Sequence, residues 1–144
     1  MIVKPEDKTD YMLRTLIQIS DESFKGIDRP PHGIFKEHFD RDDVFVRGIP
    51  TFTSGFAIVT ERGGCPYLWS IAVRLEIRGQ GAGRGLLDEI ETHYRQQGAQ
   101  RIELTCKIDN PAQKLYFDAG YRAFRVAPRY YQHEGDGLMM RRVL

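Results

Sequence analysis

The stretch Val73-Arg74-Leu75-Glu76-Ile77-Arg78-Gly79-Gln80-Gly81-Ala82-Gly83-Arg84 decides how this chain is read. It joins an apolar, branched run to a segment whose apolar positions recur at helical spacing, so a strand runs through a glycine loop into a helix. Glycines at 79, 81, 83 and 85 alternate there, which lets the backbone turn sharply and approach a ligand closely. The first amides of a helix have no partner within it, and the helix dipole favours an anion. The loop is therefore a candidate cradle for a pyrophosphate, with Arg78 and Arg84 able to add charge-assisted bonds. Neither common phosphate motif fits. GxGxxG fails because Arg84 or Leu86 stands where the last glycine belongs, and no Gly-Lys-Ser/Thr follows. The plain alternative is a glycine-rich turn that only starts a helix.

Working outward, the helix after the loop runs from Gly83 to Gln97, with Leu86, Leu87, Ile90 and Tyr94 on one face and Gly98 as its C-terminal cap. Upstream, Asp10 to Phe24 reads as an amphipathic helix that Thr9 or Asp10 can cap. The prolines of Arg29-Pro30-Pro31-His32-Gly33 then break the helix, and a short second one is expected from Ile34 to Phe39. Val44 to Val46 and Phe52 to Thr60 read as strands joined by a turn near Gly48 and Pro50. After Gly63-Gly64, Tyr67 to Val73 is a third. Downstream, Ile102, Leu104, Cys106 and Ile108 alternate as a strand with one apolar face. Asp109-Asn110-Pro111 opens a short helix containing Leu115, Tyr116 and Ala119, and Tyr121 to Val126 and Gly137 to Val143 close the chain as strands. The expected fold is a mixed α/β (α+β) sheet with helices on its faces, in one domain spanning residues 1–144.

With 21 basic and 20 acidic side chains, the net charge of +1 gives no electrostatic reason to expect nucleic acid or an anionic membrane as partner. Cys65 and Cys106 make no CxxC pair and have no histidine at ligand spacing. They read as free thiols in a reducing compartment, and no metal is assigned. The N-terminus turns polar within a few residues, and no apolar run approaches the ~20 residues of a membrane helix, so a cytoplasmic protein is the default expectation.

Arg78-x-x-Gly81-x-Gly83, after a strand ending Ile71-Ala72-Val73, resembles the coenzyme A signature of the GNAT family of N-acetyltransferases. Asp109-Asn110-Pro111-Ala112-Gln113-Lys114-Leu115-Tyr116-Phe117-Asp118-Ala119-Gly120-Tyr121 resembles the same family's Asn-x-x-Ala-x-x-Leu-Tyr-x-x-x-Gly-Phe block, one residue shorter between Asn110 and Ala112. The resemblance implies a largely antiparallel central sheet with a splayed pair of central strands, the strand before the glycine loop carrying a bulge. It implies acetyl-CoA as acyl donor, with pantetheine on the backbone of Ile71 and Val73, the pyrophosphate on the amides of Gly79, Gln80, Gly81, Ala82, Gly83 and Arg84, and Asn110 and Tyr116 beside the cofactor.

Acetyl transfer needs a neutral amine, a polarised thioester carbonyl and a proton for the leaving thiolate. Positioning supplies much of the rate, in a direct attack within a ternary complex. Tyr116 matches the family tyrosine assigned as general acid; an aromatic at helical spacing beside Leu115 is otherwise core. Glu103 and Thr105 project from the strand face opposite Leu104 and Cys106. The family's N-terminal acetyltransferase branch carries a glutamate base on this strand, at a position that aligns with Thr105. Glu103 is thus a candidate base, beside the alternatives of a solvated strand residue and an ordered water.

Arg129-Tyr130-Tyr131-Gln132-His133-Glu134-Gly135-Asp136-Gly137-Leu138-Met139-Met140 resembles the ending of ribosomal-protein-alanine and related protein N-terminal acetyltransferases, in which a loop tyrosine contacts the peptide terminus and can act in proton transfer. Tyr130 and Tyr131 are the substrate-binding candidates, unless both only pack the end of the sheet. Asp21, Glu22 and Asp28 lie in or beside the family's variable substrate-facing region and carry no substrate claim. The expected partner is a peptide or small-molecule amine, for a monomer or homodimer. The alternatives are transfer to a polyamine, amino acid or aminoglycoside-like compound, and a non-catalytic acyl-CoA-binding module.

Overall fold

Thr9 Oγ1 accepts the Met12 amide at 3.1 Å and starts α1 (Asp10–Ser23), whose Leu13, Leu16 and Ile19 are buried. The structure, a computed structural model, describes residues 1–49 and 51–144. α2 (His32–Arg41) is longer at both ends than the Ile34–Phe39 segment expected, because Pro31 serves as its N-cap rather than breaking it. Three strands follow: β1 (Asp43–Ile49), β2 (Phe52–Arg62) and β3 (Cys65–Val73). Part of the turn expected near Gly48 and Pro50 lies outside the described residues. The Gly63-Gly64 turn has positive φ at both positions, 60° and 78°, as a type I′ hairpin requires.

α3 (Ala82–Gln96) ends at Gly98 in the left-handed region (φ 83°), and β4 (Arg101–Lys107) follows. α4 (Gln113–Asp118) begins two residues after Pro111, because Asn110 Oδ1 first accepts the Ala112 amide at 2.9 Å in a side-chain turn. β5 (Arg122–Ala127) and β6 (Gly137–Val143) complete one six-stranded sheet ordered β1-β2-β3-β4-β6-β5.

The sheet divides two hydrophobic clusters. Phe45, Ala57, Val59, Leu68, Ile102 and Leu104 meet α3 and α4 on one face. Val44, Phe56, Ile58 and Ala72 meet α1 and α2 on the other. Neighbours such as Val44 and Phe45 are both fully buried because each face of that strand is covered.

Two irregularities shape the centre. β2 and β3 pair as Ile58↔Ser70 and then Val59↔Leu68, so Trp69 is an extra residue on β3. The bulge moves Ile71 and Val73 onto the face that Leu68 occupies, where both pack against the α3–α4 cluster. β3 and β4 are the sheet's parallel pair, and their register covers Tyr67↔Glu103 and Leu68↔Leu104, after which the strands part. The remaining strand pairs are antiparallel. The expected antiparallel sheet with a splayed central pair is therefore the architecture found.

Candidate active site

Where β3 and β4 diverge, Leu115 and Tyr116 of α4 line the opening. Two cavities meet there. A cleft of about 650 Å³ is lined by Ile71, Val73, Arg78, Gly83, Asn110 and Tyr116, among others. A second cavity of about 270 Å³ lies towards the α1–α2 and β5–β6 connections, and its wall includes Tyr67, Trp69, Thr105, Tyr130 and Tyr131. Tyr116, Asn110, Ile71, Phe24, Asp28 and Lys107 line both. Tyr116 thus stands where the two spaces adjoin.

The glycine loop has the form an anion cradle requires. Gly79 and Gly81 have φ of 79° and 87°, values that exclude most side chains, and no protein atom lies within 4 Å of where a Cβ would sit on either. The first bond of the α3 ladder runs from the Gly85 amide to the Gly81 carbonyl at 2.9 Å. The amides of Ala82, Gly83 and Arg84 therefore precede the ladder. A Cβ at Gly83 would come to 3.1 Å from Leu115 Cδ2, so a larger residue there requires the Leu115 side chain to shift. Gln80, between the two left-handed glycines, is exposed.

The two arginines are held differently. Arg78 Nε donates to the Val73 carbonyl and its other arm to Ser23 Oγ, both at 3.1 Å, tying the end of β3 to the end of α1 beside the cleft. Arg84 donates to Asp88 and to the Asp118 carbonyl, both at 3.0 Å, so its guanidinium braces α3 against α4.

Tyr116 is 7% exposed, and burial raises its phenol far above the ordinary value, with the nearby Cys106 thiol adding to the rise. It stays protonated at neutral pH, as a general acid must. Tyr121 packs edge-on against it with ring centroids 6.1 Å apart.

Glu103 lines neither cavity. Its carboxylate accepts the Cys65 thiol at 3.2 Å and lies 3.5 Å from Arg101 Nε. Burial and this carboxylate push the Cys65 thiol up to about 11. Thr105, one pleat along, does line the second cavity; its Oγ1 accepts the Tyr67 hydroxyl at 2.7 Å and its carbonyl the Tyr131 hydroxyl at 3.3 Å. Tyr130 and Tyr131 reach the same wall from the β5–β6 connection, their rings 5.0 Å apart and edge-on.

Residues that sequence patterns did not single out complete the cavity. Arg62 lies over the Tyr67 ring, 3.8 Å from its centroid, and donates to the Tyr130 hydroxyl at 3.4 Å. Lys107 Nζ lies 2.7 Å from Glu134 and 3.4 Å from Asp28, and Glu134 also accepts the Ile27 amide at 2.8 Å. That clasp joins the α1–α2 connection to the β5–β6 connection. Only the identity of Asp28 as a charge in the substrate-facing region was a sequence signal for it.

Residues 6–121 match the model of the acetyltransferase (GNAT) family, so the chain belongs to that family. An uncharacterised N-acetyltransferase of Methanocaldococcus jannaschii is 31% identical over 88 residues, 60% of this chain and 56% of that protein. The chain therefore spans a little over half the length of that relative. Among solved structures, the ribosomal-protein-alanine N-acetyltransferase of Escherichia coli shares the fold with a TM-score of 0.84 and 20% identity, over 99% of this chain and 92% of the other. A GNAT acetyltransferase of Elizabethkingia anophelis, solved with acetyl-CoA bound, gives a TM-score of 0.72 at 13% identity, over 80% and 84% of the two chains. No helix of the described residues is long and apolar enough to cross a membrane, and no group of three or more His, Cys, Asp or Glu among them is placed to hold a metal.

Proposed function

We propose that residues 1–144 act as one catalytic domain that transfers an acetyl group from acetyl-CoA to a primary amine, in particular the N-terminal amine of a peptide or protein. The observation that carries the reading is the shared wall of the two cavities: Tyr116 lines both the cleft behind the glycine loop and the space bounded by Tyr130 and Tyr131. A donor held by the loop and an acceptor held by the tyrosines would meet beside its hydroxyl.

Acetyl-CoA supplies an activated thioester with a good leaving group. The chain supplies position and protons. The amides of Gly79 to Arg84 are suited to the pyrophosphate, and the edge of β3 at Ile71 and Val73 to pantetheine amides, since β4 has parted from it there. Tyr116 is the donor of the proton that the departing sulfur takes up. The placement of Glu103 favours a different route for the amine's proton, through the polar wall of the acceptor cavity.

The acceptor cavity, about 270 Å³, is at the small end of ligand sites, enough for a terminal residue or a compact amine. That size keeps a small-molecule acceptor as the second reading. Thermal unfolding with acetyl-CoA, CoA and NAD tests the donor; at 100 times its dissociation constant a ligand adds about 2.7 kcal/mol. A shift with both CoA species and none with NAD is expected. An acceptor panel of short peptides, polyamines and amino acids then separates the two readings, and turnover of polyamines alone would overturn the peptide one.

A further inference from the structure

The acceptor cavity holds two phenols in contact with one guanidinium. Arg62 ends β2, across the Gly63-Gly64 turn from Cys65, and its side chain folds back along β3. The guanidinium carbon is 3.8 Å from the centre of the Tyr67 ring, and a terminal nitrogen is 3.4 Å from the Tyr130 hydroxyl. The Tyr67 hydroxyl lies 2.7 Å from Thr105 Oγ1, which ties it to β4. Tyr130 is 44% exposed and lines the cavity.

We propose that Arg62 is a positioning residue for acetyl transfer: stacked on Tyr67, it holds the Tyr130 oxygen at the acceptor cavity, where its ionised form takes the proton of the incoming ammonium. This inference rests on the amine-acceptor reading above. With Tyr130 ionised, the proton passes from the ammonium nitrogen to the phenolate oxygen, and the nitrogen keeps the electron pair with which it attacks the acyl carbon. The resulting phenol passes the proton to solvent through its exposed edge, which returns Tyr130 to its starting state.

The electrostatics agree with the geometry. Burial raises the Tyr130 phenol, but the Arg62 hydrogen bond, the neighbouring Tyr67 hydroxyl and the Arg62 charge outweigh it, and the phenol sits below its ordinary value. Burial pushes Tyr67 up to about 12. The two adjacent phenols are thus driven in opposite directions, with the Arg62 guanidinium beside both. The charged and titratable groups that face Tyr130 are Arg62 from β2, Tyr67 from β3 and Tyr131 from its own loop. Lys107 of β4, in the same cavity, is paired with Asp28 and Glu134.

The test is a near-ultraviolet phenolate titration of the whole chain, which needs no known acceptor. Among its seven tyrosines, one is expected to ionise ahead of the rest. That early step should vanish in Tyr130→Phe, move to higher pH in Arg62→Gln, and persist in Arg62→Lys, which keeps the charge. Circular dichroism and acetyl-CoA binding establish that each variant is folded. If no tyrosine ionises early, if the step survives Tyr130→Phe, or if Arg62→Gln leaves it in place, the inference is overturned.

With a tripeptide bearing a free α-amino group, kcat/KM of Arg62→Gln should fall about tenfold at neutral pH for each unit the phenol rises, and recover at higher pH. Tyr130→Phe should fall without recovering. A wild type that acetylates no amine would count against the proposed function, while the titration would still decide the role of Arg62.

Discussion

The Tyr67 hydroxyl donates to Thr105 Oγ1 at 2.7 Å, one residue beyond the last rung at which β3 and β4 pair as strands. A side-chain bond thus fastens the two central strands at the mouth of their divergence. Tyr67 is 4% exposed, so its loss leaves a polar partner inside. Tyr67→Phe is expected to cost about 1 kcal/mol, which lowers the melting temperature by ~2–4 °C in a chain of this size. Thermal unfolding checks the loss. An unchanged melting temperature would mean that this bond adds nothing to stability.

Tyr116 and Glu103 should separate cleanly in kinetics. Tyr116→Phe removes the proposed acid at the junction of the two cavities and should lower kcat about 10²–10⁴-fold while acetyl-CoA binding is retained. Glu103→Gln touches a carboxylate that faces Cys65 and Arg101 rather than either cavity, and should leave kcat within a few-fold of wild type. Steady-state rates and calorimetric affinities for both variants decide. A large kcat loss in Glu103→Gln would restore that carboxylate as the base.

Gly81→Ala probes the glycine loop through its backbone. The residue has φ 87°, and an added Cβ meets no protein atom within 4 Å, so crowding is not the issue. Holding alanine in the left-handed region costs roughly 1–2 kcal/mol. If the loop relaxes to relieve it, the amides before the α3 ladder shift, and acetyl-CoA should bind about 5–30-fold more weakly. Isothermal titration calorimetry reads this directly.

Asp42 sets a pH dependence of stability. Burial raises its carboxyl, but hydrogen bonds from Arg41, His38 and Thr60 outweigh burial and hold it below the usual range. The His38 contact is 2.6 Å, and the His38 ring stacks on Trp69 at 3.9 Å, linking α2 to the β3 bulge. A carboxyl whose folded value is depressed contributes fully above its unfolded value of about 3.9, and that contribution fades as pH falls through the lower folded value. Denaturation midpoints should therefore decline below about pH 4. In Asp42→Asn that part of the decline should be absent.

Most of the framework was readable before any coordinates. Periodicity located the helices because a helix must turn its apolar stripe to the sheet, and Leu86, Leu87 and Ile90 do so wherever the sheet lies. The alternation of Ile102, Leu104 and Cys106 gave the strand and its buried face for the same reason. The glycine loop was readable because left-handed backbone at residues 79 and 81 is a property of the residues themselves. Ends were less certain: α2 begins at His32 because a proline serves as well for a cap as for a break.

What only the tertiary structure decided is which polar side chains share a space. Strand alternation put Glu103 and Thr105 on one face, but not which would meet a cavity. Cys65, reached through the β2–β3 hairpin, occupies the first, and Tyr67 and the cavity take the second. The Trp69 bulge, which turns Ile71 and Val73 towards the cleft, left no mark in the alternation of a strand buried on both faces. Arg62 and Tyr130, 68 residues apart, meet because β5–β6 folds back over the end of β2 and β3, and no local pattern encodes a contact between side chains so far separated along the chain.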